Sequence, residues 1–450
     1  MKIQLINSPV QNGYGGNSKE GVYPPLQLIC LGTYLAKTIR DIKIQILDGE
    51  VMGLEEIELE LGADVVGISA NFLNYPNCLR LARIAKERGC CVILGGPHVS
   101  SIPLLVLENR NEVDIVIAGD GEKALSEFVA GKKVEDINNV VYRAGAKIRR
   151  NSSTSLNPNS LPIPDYGLID FKPYSERFQK KFSRYIPAHR AGAIFSQKGC
   201  IWRDRTGGCI YCRPDAVYRS KTPKKSWEEI RELVEKYRVD FIWDCSETLT
   251  TDKAWFEEFT DSKPADLNPF LMIYARENDI TPAVVKMLRR INCYQVLLGA
   301  DSADNAILKQ ANTGKSLEHI RRAAELLALQ DIHLSASFVF GLPGETTESV
   351  EATLDLIHWL FDLGNVFEIS AGILFPLPET TCFSMMLRFP HLAEKYANRD
   401  LFDFKELQVD WVKQFCHISY EQLEWALSEV SKAVPIISSF GRQVENKEIN

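Results

Sequence analysis

Apolar positions in the first third of the chain gather into short, continuous runs. IQLINSP, IKIQILDG, VVGISAN and CVILGGP recur at regular spacing, and each ends where glycine or a small polar residue begins. Between them, PPLQLICLGTYLAKTI and CLRLARIAKERG carry leucine, isoleucine and alanine at helical spacing. VDIVIAGDG adds a further strand, and EKALSEFVAG the helix after it. Continuous apolar runs suit strands covered on both faces, as in a parallel sheet. The pattern predicts an α/β, doubly wound domain over residues 1–145.

Residues 146–185 lose that rhythm. Asparagine, serine and proline crowd AKIRRNSSTSLNPNSLPIPDYGLIDFKPY, which predicts a linker running over the surface. The alternation then resumes. RAGAIFSQ, DFIWDCS, PFLMIYAR, YQVLLGAD, LSASFVFG and FEISAGILF read as strands, separated by helices such as KSWEEIRELVEKY, TPAVVKMLRRI and SLEHIRRAAELLALQ. Six strand–helix units predict a partial (β/α)6 barrel over residues 186–385, two units short of a full barrel. Residues 386–450 form a small helical C-terminal region, with amphipathic helices around HLAEKYANR and SYEQLEWALSEVSKAV.

A chain of 450 residues is long enough for at least two domains. Its formal charge of -7 provides no general attraction to nucleic acid or an anionic membrane, so a small molecule or peptide is the favoured partner. The N-terminus lacks a signal peptide's apolar core, and no apolar stretch approaches membrane-spanning length. These features point to a cytoplasmic protein. Of the 11 cysteines, Cys30, Cys78, Cys90, Cys91, Cys293, Cys382 and Cys416 sit mostly among apolar neighbours and read as small buried hydrophobes.

In a doubly wound domain, ligands lie beyond the C-terminal ends of the strands. The loops there are Ser8–Gly16, Asp48–Glu50, Ser69–Asn74, Gly95–Ser100 and Gly119–Glu122, and none spells GxGxxG. In the barrel, the same reasoning singles out SQKGCIWRDRTGGCIYCR, residues 196–213, just after the first strand. Cys209 and Cys212 form a pair two residues apart, and the arm WRDRTGGC can loop Cys200 toward them. Spacing alone leaves three alternatives: zinc with a further ligand, an iron-sulfur cluster, or structural thiols.

The N-terminal domain resembles the cobalamin-binding domain at the front of many radical S-adenosylmethionine proteins. Pro24-Pro25-Leu26, the GISA segment, the GGPH turn and Gly119-Asp120-Gly121-Glu122 carry the likeness. It implies cobalamin contacts from Gly13, Tyr14, Asp48, Glu50, Ser69, Asn71, Gly95, Gly96, Pro97, His98, Gly119, Gly121 and Glu122. The turn matching the cobalt-binding DxHxxG reads Leu47-Asp48-Gly49-Glu50-Val51, without histidine. The resemblance thus implies base-off cobalamin with water or nothing on the lower face. LPIPDYGLID is similar to the strap that joins the two domains of this superfamily.

The second domain resembles the radical S-adenosylmethionine superfamily, whose usual motif has three and two residues between its cysteines; here the first gap is five residues longer. The resemblance implies a 4Fe-4S cluster on Cys200, Cys209 and Cys212, with S-adenosylmethionine on the fourth iron. It assigns Asp244 and Glu247 to the cofactor's amino group, Arg276 to its carboxylate or ribose, and Asp301 to the fourth-strand motif. Ser335 and Ser337 fall on the adenosyl-binding strand. Cys245 is a candidate acid–base group, and Glu379 and Thr380 are candidate substrate contacts.

Such an enzyme cleaves S-adenosylmethionine reductively, drawing on an electron donor such as flavodoxin or ferredoxin. The implied activity is methyl transfer to an unactivated carbon. A radical rearrangement or oxidative ring contraction is the enzymatic alternative, and a non-catalytic corrinoid- or iron-sulfur-binding regulator the third.

Overall fold

The computed structural model describes residues 1–10, 21–213 and 217–433. Gly13 and Tyr14 lie outside the described residues. The five predicted N-terminal strands form: β1 (Lys2–Asn7), β2 (Lys43–Asp48), β3 (Val65–Ser69), β4 (Cys91–Gly95) and β5 (Ile115–Ile117). They pair in parallel in the order β2-β1-β3-β4-β5. Helices Leu26–Thr38 and Glu122–Val129 cover one face, while Tyr75–Glu87 helps cover the other.

The sheet is mixed rather than purely parallel. A hairpin of β6 (Val140–Ala144) and β7 (Lys147–Arg150) pairs antiparallel at its edge. Gly145, at φ +63, supplies the left-handed conformation its tight turn requires.

The stretch after the hairpin is more ordered than its composition predicts. It contains the helix Lys172–Phe182, which buries Tyr174 and Phe178 one turn apart. Phe178 packs on Phe241, and the Tyr174 hydroxyl donates to Asp48 Oδ2 at 2.6 Å. Tyr166 is also buried, and its hydroxyl donates to the Ala193 carbonyl. This segment is therefore a strap fastened to both domains. Only three aromatic positions among many polar ones mark its helix, so the narrow stripe escapes a reading by periodicity.

All six barrel strands form: β8 (Ala191–Ile194), β11 (Phe241–Asp244), β12 (Phe270–Ala275), β13 (Cys293–Asp301), β14 (His333–Phe340) and β15 (Val366–Ile373). Between β8 and β11 lies a short antiparallel pair, β9 (Gln197–Lys198) and β10 (Arg219–Ser220). The barrel sheet is parallel throughout, in the order β15-β14-β13-β12-β11-β8.

The C-terminal region holds the two predicted helices, Pro390–Tyr396 and Tyr420–Ala433, and a third, Phe404–Phe415. In that third helix Phe404, Leu407, Gln408, Trp411 and Val412 are buried, and the Asp403 side chain accepts from Glu406 N at 2.8 Å. This region closes against the N-terminal domain. Asp400 accepts from Tyr75 Oη at 2.8 Å, Arg110 Nε at 2.6 Å and Asn109 Nδ2 at 3.2 Å. Phe72 meets Phe402 and Phe404 at 6.0 and 4.6 Å between ring centres. Among the described residues, no helix is long and apolar enough to cross a membrane.

Candidate functional site

Two cavities open where the strand ends of the domains face each other. The first, about 440 Å³, is lined by Ser69, Gly95, Gly96, Pro97, Gly119, Gly121 and Glu122 from the sheet loops. Lys198, Arg219, Cys245 and Glu247 join them from the barrel side. The cavity continues below the loops, because Leu5, Gly67 and Ile93 also line it. These three are register partners in the middle of adjacent strands. Gly67 carries no side chain where its neighbours carry leucine and isoleucine, so a trough remains between the sheet and its covering helices. At Gly96, φ is +100 and a Cβ would come within 2.6 Å of the Ala70 carbonyl oxygen, so this turn accepts only glycine.

The rim of this cavity is charged. Arg219 Nη2 donates to both oxygens of Asp120, at 2.7 and 2.6 Å, and Lys198 Nζ donates to the same carboxylate at 3.3 Å. Arg219 Nε and Nη1 are buried without a hydrogen-bond partner. Burial works against the Lys198 ammonium, but Glu122 and Asp120 outweigh it and hold its pKa above the usual lysine value. Beneath them, Lys221 and Glu229 form a fully buried pair at 2.6 Å. The Cys245 thiol donates to the Ile194 carbonyl at 2.9 Å, and burial pushes its pKa up, so it remains protonated.

The second cavity, about 600 Å³, lies at the barrel mouth. Phe72, Leu73, Phe338, Val339, Leu374 and Phe375 make it largely apolar; Ser337, Ser370, Tyr211 and Arg213 are among its polar groups. Asn71, Pro97 and His98 reach it from the N-terminal domain, and Pro97 lines both cavities. His98 is buried and its Nε2 lies 3.0 Å from the Asp400 carbonyl oxygen. Burial lowers its pKa to about 4 and keeps the ring neutral.

The three cysteines are neighbours beside this mouth. Cys212 is exposed as a residue, yet partial enclosure of its thiol, with Cys209 and then Cys200 nearby, pushes its pKa up. The Cys212 amide donates to the Cys209 carbonyl at 3.1 Å, closing the turn of the pair. Further contacts seat this segment: Ile210 N donates to Ala311 O at 3.1 Å, and Cys382 N donates to Ile210 O at 3.0 Å. Among the described residues, no three His, Cys, Asp or Glu side chains converge as they would on a single ion. Three soft thiol donors without a fourth protein ligand fit a 4Fe-4S cluster, whose ligands occupy separate irons.

The remaining candidates divide between site and scaffold. Asp244 Oδ1 accepts from Ser196 N, Ser246 N and Ser246 Oγ at 3.2, 3.1 and 2.6 Å, while its buried Oδ2 has no partner. Asp301 pairs with Lys315 at 2.5 Å, and Lys315 Nζ lies 3.8 Å from Glu277. Burial opposes the Lys315 ammonium, but Asp301 and Glu277 keep it charged. Ser335 lies deeper in the barrel, where its Oγ accepts from Gln295 Nε2 at 2.7 Å; Ser337, two residues on, lines the mouth. Glu379 pairs with Arg213 at 2.5 Å, and Thr380 accepts from Phe383 N at 3.2 Å to cap a helix.

Asp48 and Glu50 line neither cavity. Asp48 accepts from Tyr174 and from Asn7 Nδ2 at 2.7 Å, and the Glu50 carbonyl accepts from Arg177 Nη1 at 2.5 Å. Sequence reasoning named Asp120 only as part of its motif, with no contact assigned to it, and offered no role for Lys198, Arg219, Tyr211, Glu277 and Lys315. Only the Gly-Asp-Gly setting of Asp120 and the pairing of Tyr211 with the two cysteines offered a signal.

Comparison with known proteins gives the arrangement its relatives. Residues 16–129 match the B12 binding domain, and residues 194–357 match the Radical SAM superfamily. The chain is 26% identical over 373 residues to an uncharacterized methyltransferase of Pyrococcus horikoshii, covering 79% of this chain and 77% of that one. It is also 26% identical over 389 residues to the anaerobic magnesium-protoporphyrin IX monomethyl ester cyclase of Rubrivivax gelatinosus, covering 81% and 67%.

Among solved structures, the radical S-adenosylmethionine methyltransferase TsrM of Kitasatospora setae, with cobalamin and a [4Fe-4S] cluster bound, shares the fold. It matches at a TM-score of 0.69 and 16% identity, over 99% of this chain and 93% of that one. The cobalamin-dependent S-adenosylmethionine radical enzyme OxsB matches at a TM-score of 0.63 and 18% identity, over 79% of this chain; the match spans about half of OxsB, 52%. With both domain matches in sequence and the shared fold around them, this chain joins a B12 binding domain to a radical SAM domain, the architecture of the cobalamin-dependent radical SAM enzymes.

Proposed function

We propose that this chain is a methyltransferase, moving a methyl group from S-adenosylmethionine by way of cobalamin to an unactivated carbon of a small molecule or peptide. The observation that carries this reading is the pair of cavities meeting at Pro97, one entering the B12 binding domain and one at the barrel mouth beside the three cysteines. When bound, the cluster supplies the electron that cleaves S-adenosylmethionine, and cobalamin supplies the methyl carrier.

The work of this chain is binding, placement and exclusion of water. Residues 1–145, with the β7 edge strand that extends their sheet to Arg150, would hold cobalamin; the strap from there to residue 185 would join the domains, 186–385 hold the cluster, and 386–450 close the assembly. Cys200, Cys209 and Cys212 would ligate the cluster. Asp244, with its unpartnered Oδ2, together with Arg276, Asp301 and Ser337, would face S-adenosylmethionine with Ser335 behind, and Glu247 would reach it from the first cavity.

The trough at Gly67 and Gly95 would take an apolar part of cobalamin, leaving the charged rim for its polar stem. Among the described residues no histidine lines that cavity, and base-off binding without a histidine ligand is part of this proposal. The apolar walls of the mouth would exclude water from the reacting carbon, and placement in one space would replace a bimolecular encounter. The buried Cys245 thiol stays protonated and acts as a donor rather than a nucleophile. A reduced flavodoxin or ferredoxin would deliver the electron in the cytoplasm.

The Rubrivivax gelatinosus cyclase supports the second reading, a radical rearrangement or oxidative ring chemistry without methyl gain, since its identity of 26% equals that of the Pyrococcus horikoshii relative. Anaerobic turnover of candidate small molecules and peptides with methyl-labelled S-adenosylmethionine, followed by mass spectrometry, separates the two. Labelled methyl in the product supports methyl transfer. A dehydrogenated or cyclised product without label supports the second reading.

A further inference from the structure

The eight residues between Cys200 and Cys209 form a braced arm. Ile201–Thr206 make a short helix that Gly207 ends. Its Trp202 docks on the turn after helix Asn305–Gln310, where Nε1 donates to the Asn312 carbonyl at 2.9 Å. The indole lies so close to Gly314 that a Cβ there would fall 2.3 Å from the ring. Asn312 Nδ2 donates back to the Gly208 carbonyl at 2.7 Å. Arg276, at the end of β12, places its guanidinium 4.8 Å from the centre of the Trp202 ring, and its Nη2 donates to the Thr313 carbonyl at 2.5 Å.

One side chain of the arm that follows Cys200 thus meets both the turn at Asn312 and the arginine at the third strand end. An arginine left free loses rotamer freedom when it engages a ligand, whereas one already stacked and hydrogen-bonded has given it up beforehand. We propose that Trp202 is a positioning residue for S-adenosylmethionine, holding Arg276 ready for the cofactor's carboxylate. The inference rests on the reading that Arg276 meets S-adenosylmethionine.

The test uses the full chain, anaerobically reconstituted, with iron content and S-adenosylmethionine affinity measured separately. Affinity is read by equilibrium dialysis with labelled S-adenosylmethionine and by its perturbation of the reduced cluster's EPR signal. Trp202→Ala weakens binding roughly tenfold, the scale of a lost cation–π contact with its preorganisation, at wild-type iron content. Trp202→Phe, which keeps an aromatic face, restores most of the affinity. Arg276→Ala weakens binding, and adding Trp202→Ala to it costs little more.

Wild-type affinity in Trp202→Ala overturns the proposal, as does loss of affinity that only tracks loss of iron. Should Trp202→Ala fail to fold, weaker binding by Trp202→Leu than by Trp202→Phe at equal iron content supports the proposal, and equal binding overturns it. Unchanged affinity in Arg276→Ala defeats instead the reading on which the inference rests.

Discussion

The two cavities differ in how they use polar groups. In the cavity of the N-terminal domain, charge gathers at the rim, on Asp120, Glu122, Lys198 and Arg219, above an aliphatic trough. At the barrel mouth the walls are apolar, and several polar groups there are already committed: Arg213 to Glu379, Thr380 to a helix cap, and His98 to the Asp400 carbonyl. The first arrangement suits a large ligand with an apolar end and a polar stem. The second suits chemistry that must be kept dry, where fixed dipoles and excluded water matter more than surface charge. A ligand of one cavity is therefore not interchangeable with a ligand of the other, and each should be removable alone.

The largest expected effect comes from replacing Cys200, Cys209 and Cys212 together with alanine. Iron falls from about four per chain to near zero, because no other thiol set replaces the cluster's ligands, while cobalamin binding persists. Metal analysis and cobalamin titration on the same preparation check it; parallel loss of both would break the separation of the cavities.

Gly67→Leu is the reciprocal change. A Cβ at Gly67 would meet Leu5 Cδ2 at 3.3 Å, and the longer side chain would then occupy the trough. Overpacking on the scale of about 1–3 kcal/mol predicts a roughly 5- to 150-fold loss of cobalamin affinity, with iron content unchanged. Spectrophotometric titration reads it.

Much of this layout was legible beforehand. Every predicted strand formed, because runs such as KIQLIN and CVILG can be buried only between two layers. The hairpin of β6 and β7 was not, since KIRR sits at an exposed edge and carries no apolar run. The strand-end rule led to Ser69, Gly95, Gly96 and Gly119, which line a cavity. It also led to Asp48 and Glu50, which the strap helix engages instead. The union of Asp120 with Arg219 joins residues far apart in the chain, and no local pattern announces such a contact. The helix Phe404–Phe415 had a legible signal, Asp403 three residues before Glu406 ahead of an apolar stripe.

Smaller effects probe the closure above the mouth. Asp400→Ala leaves the Arg110 guanidinium and Tyr75 hydroxyl without their shared acceptor, and should cost roughly 3 kcal/mol by chemical denaturation. Loss near that of an exposed pair, below about 1 kcal/mol, would mean the C-terminal region is not a structural roof.

His98 tests the same closure through pH. Its folded pKa of about 4 lies below the unfolded value of about 6.5, so the unfolded chain binds more protons between them. The stability from its neutral burial is complete above pH 6.5 and lost as pH falls toward 4, by at most about 3 kcal/mol. His98→Gln should flatten that part of the stability profile; an unchanged slope would show that other groups set it.

The central claim is that the two cavities accept different cofactors around one reaction space. A crystal structure of the anaerobically reconstituted chain with cobalamin and S-adenosylmethionine tests it most directly. The account predicts cobalamin reaching into the trough at Gly67 and Gly95, with no histidine on cobalt, and a cluster on Cys200, Cys209 and Cys212 with S-adenosylmethionine at the barrel mouth. A trough filled by side chains under saturating cobalamin, or a cluster held by other residues, would contradict it.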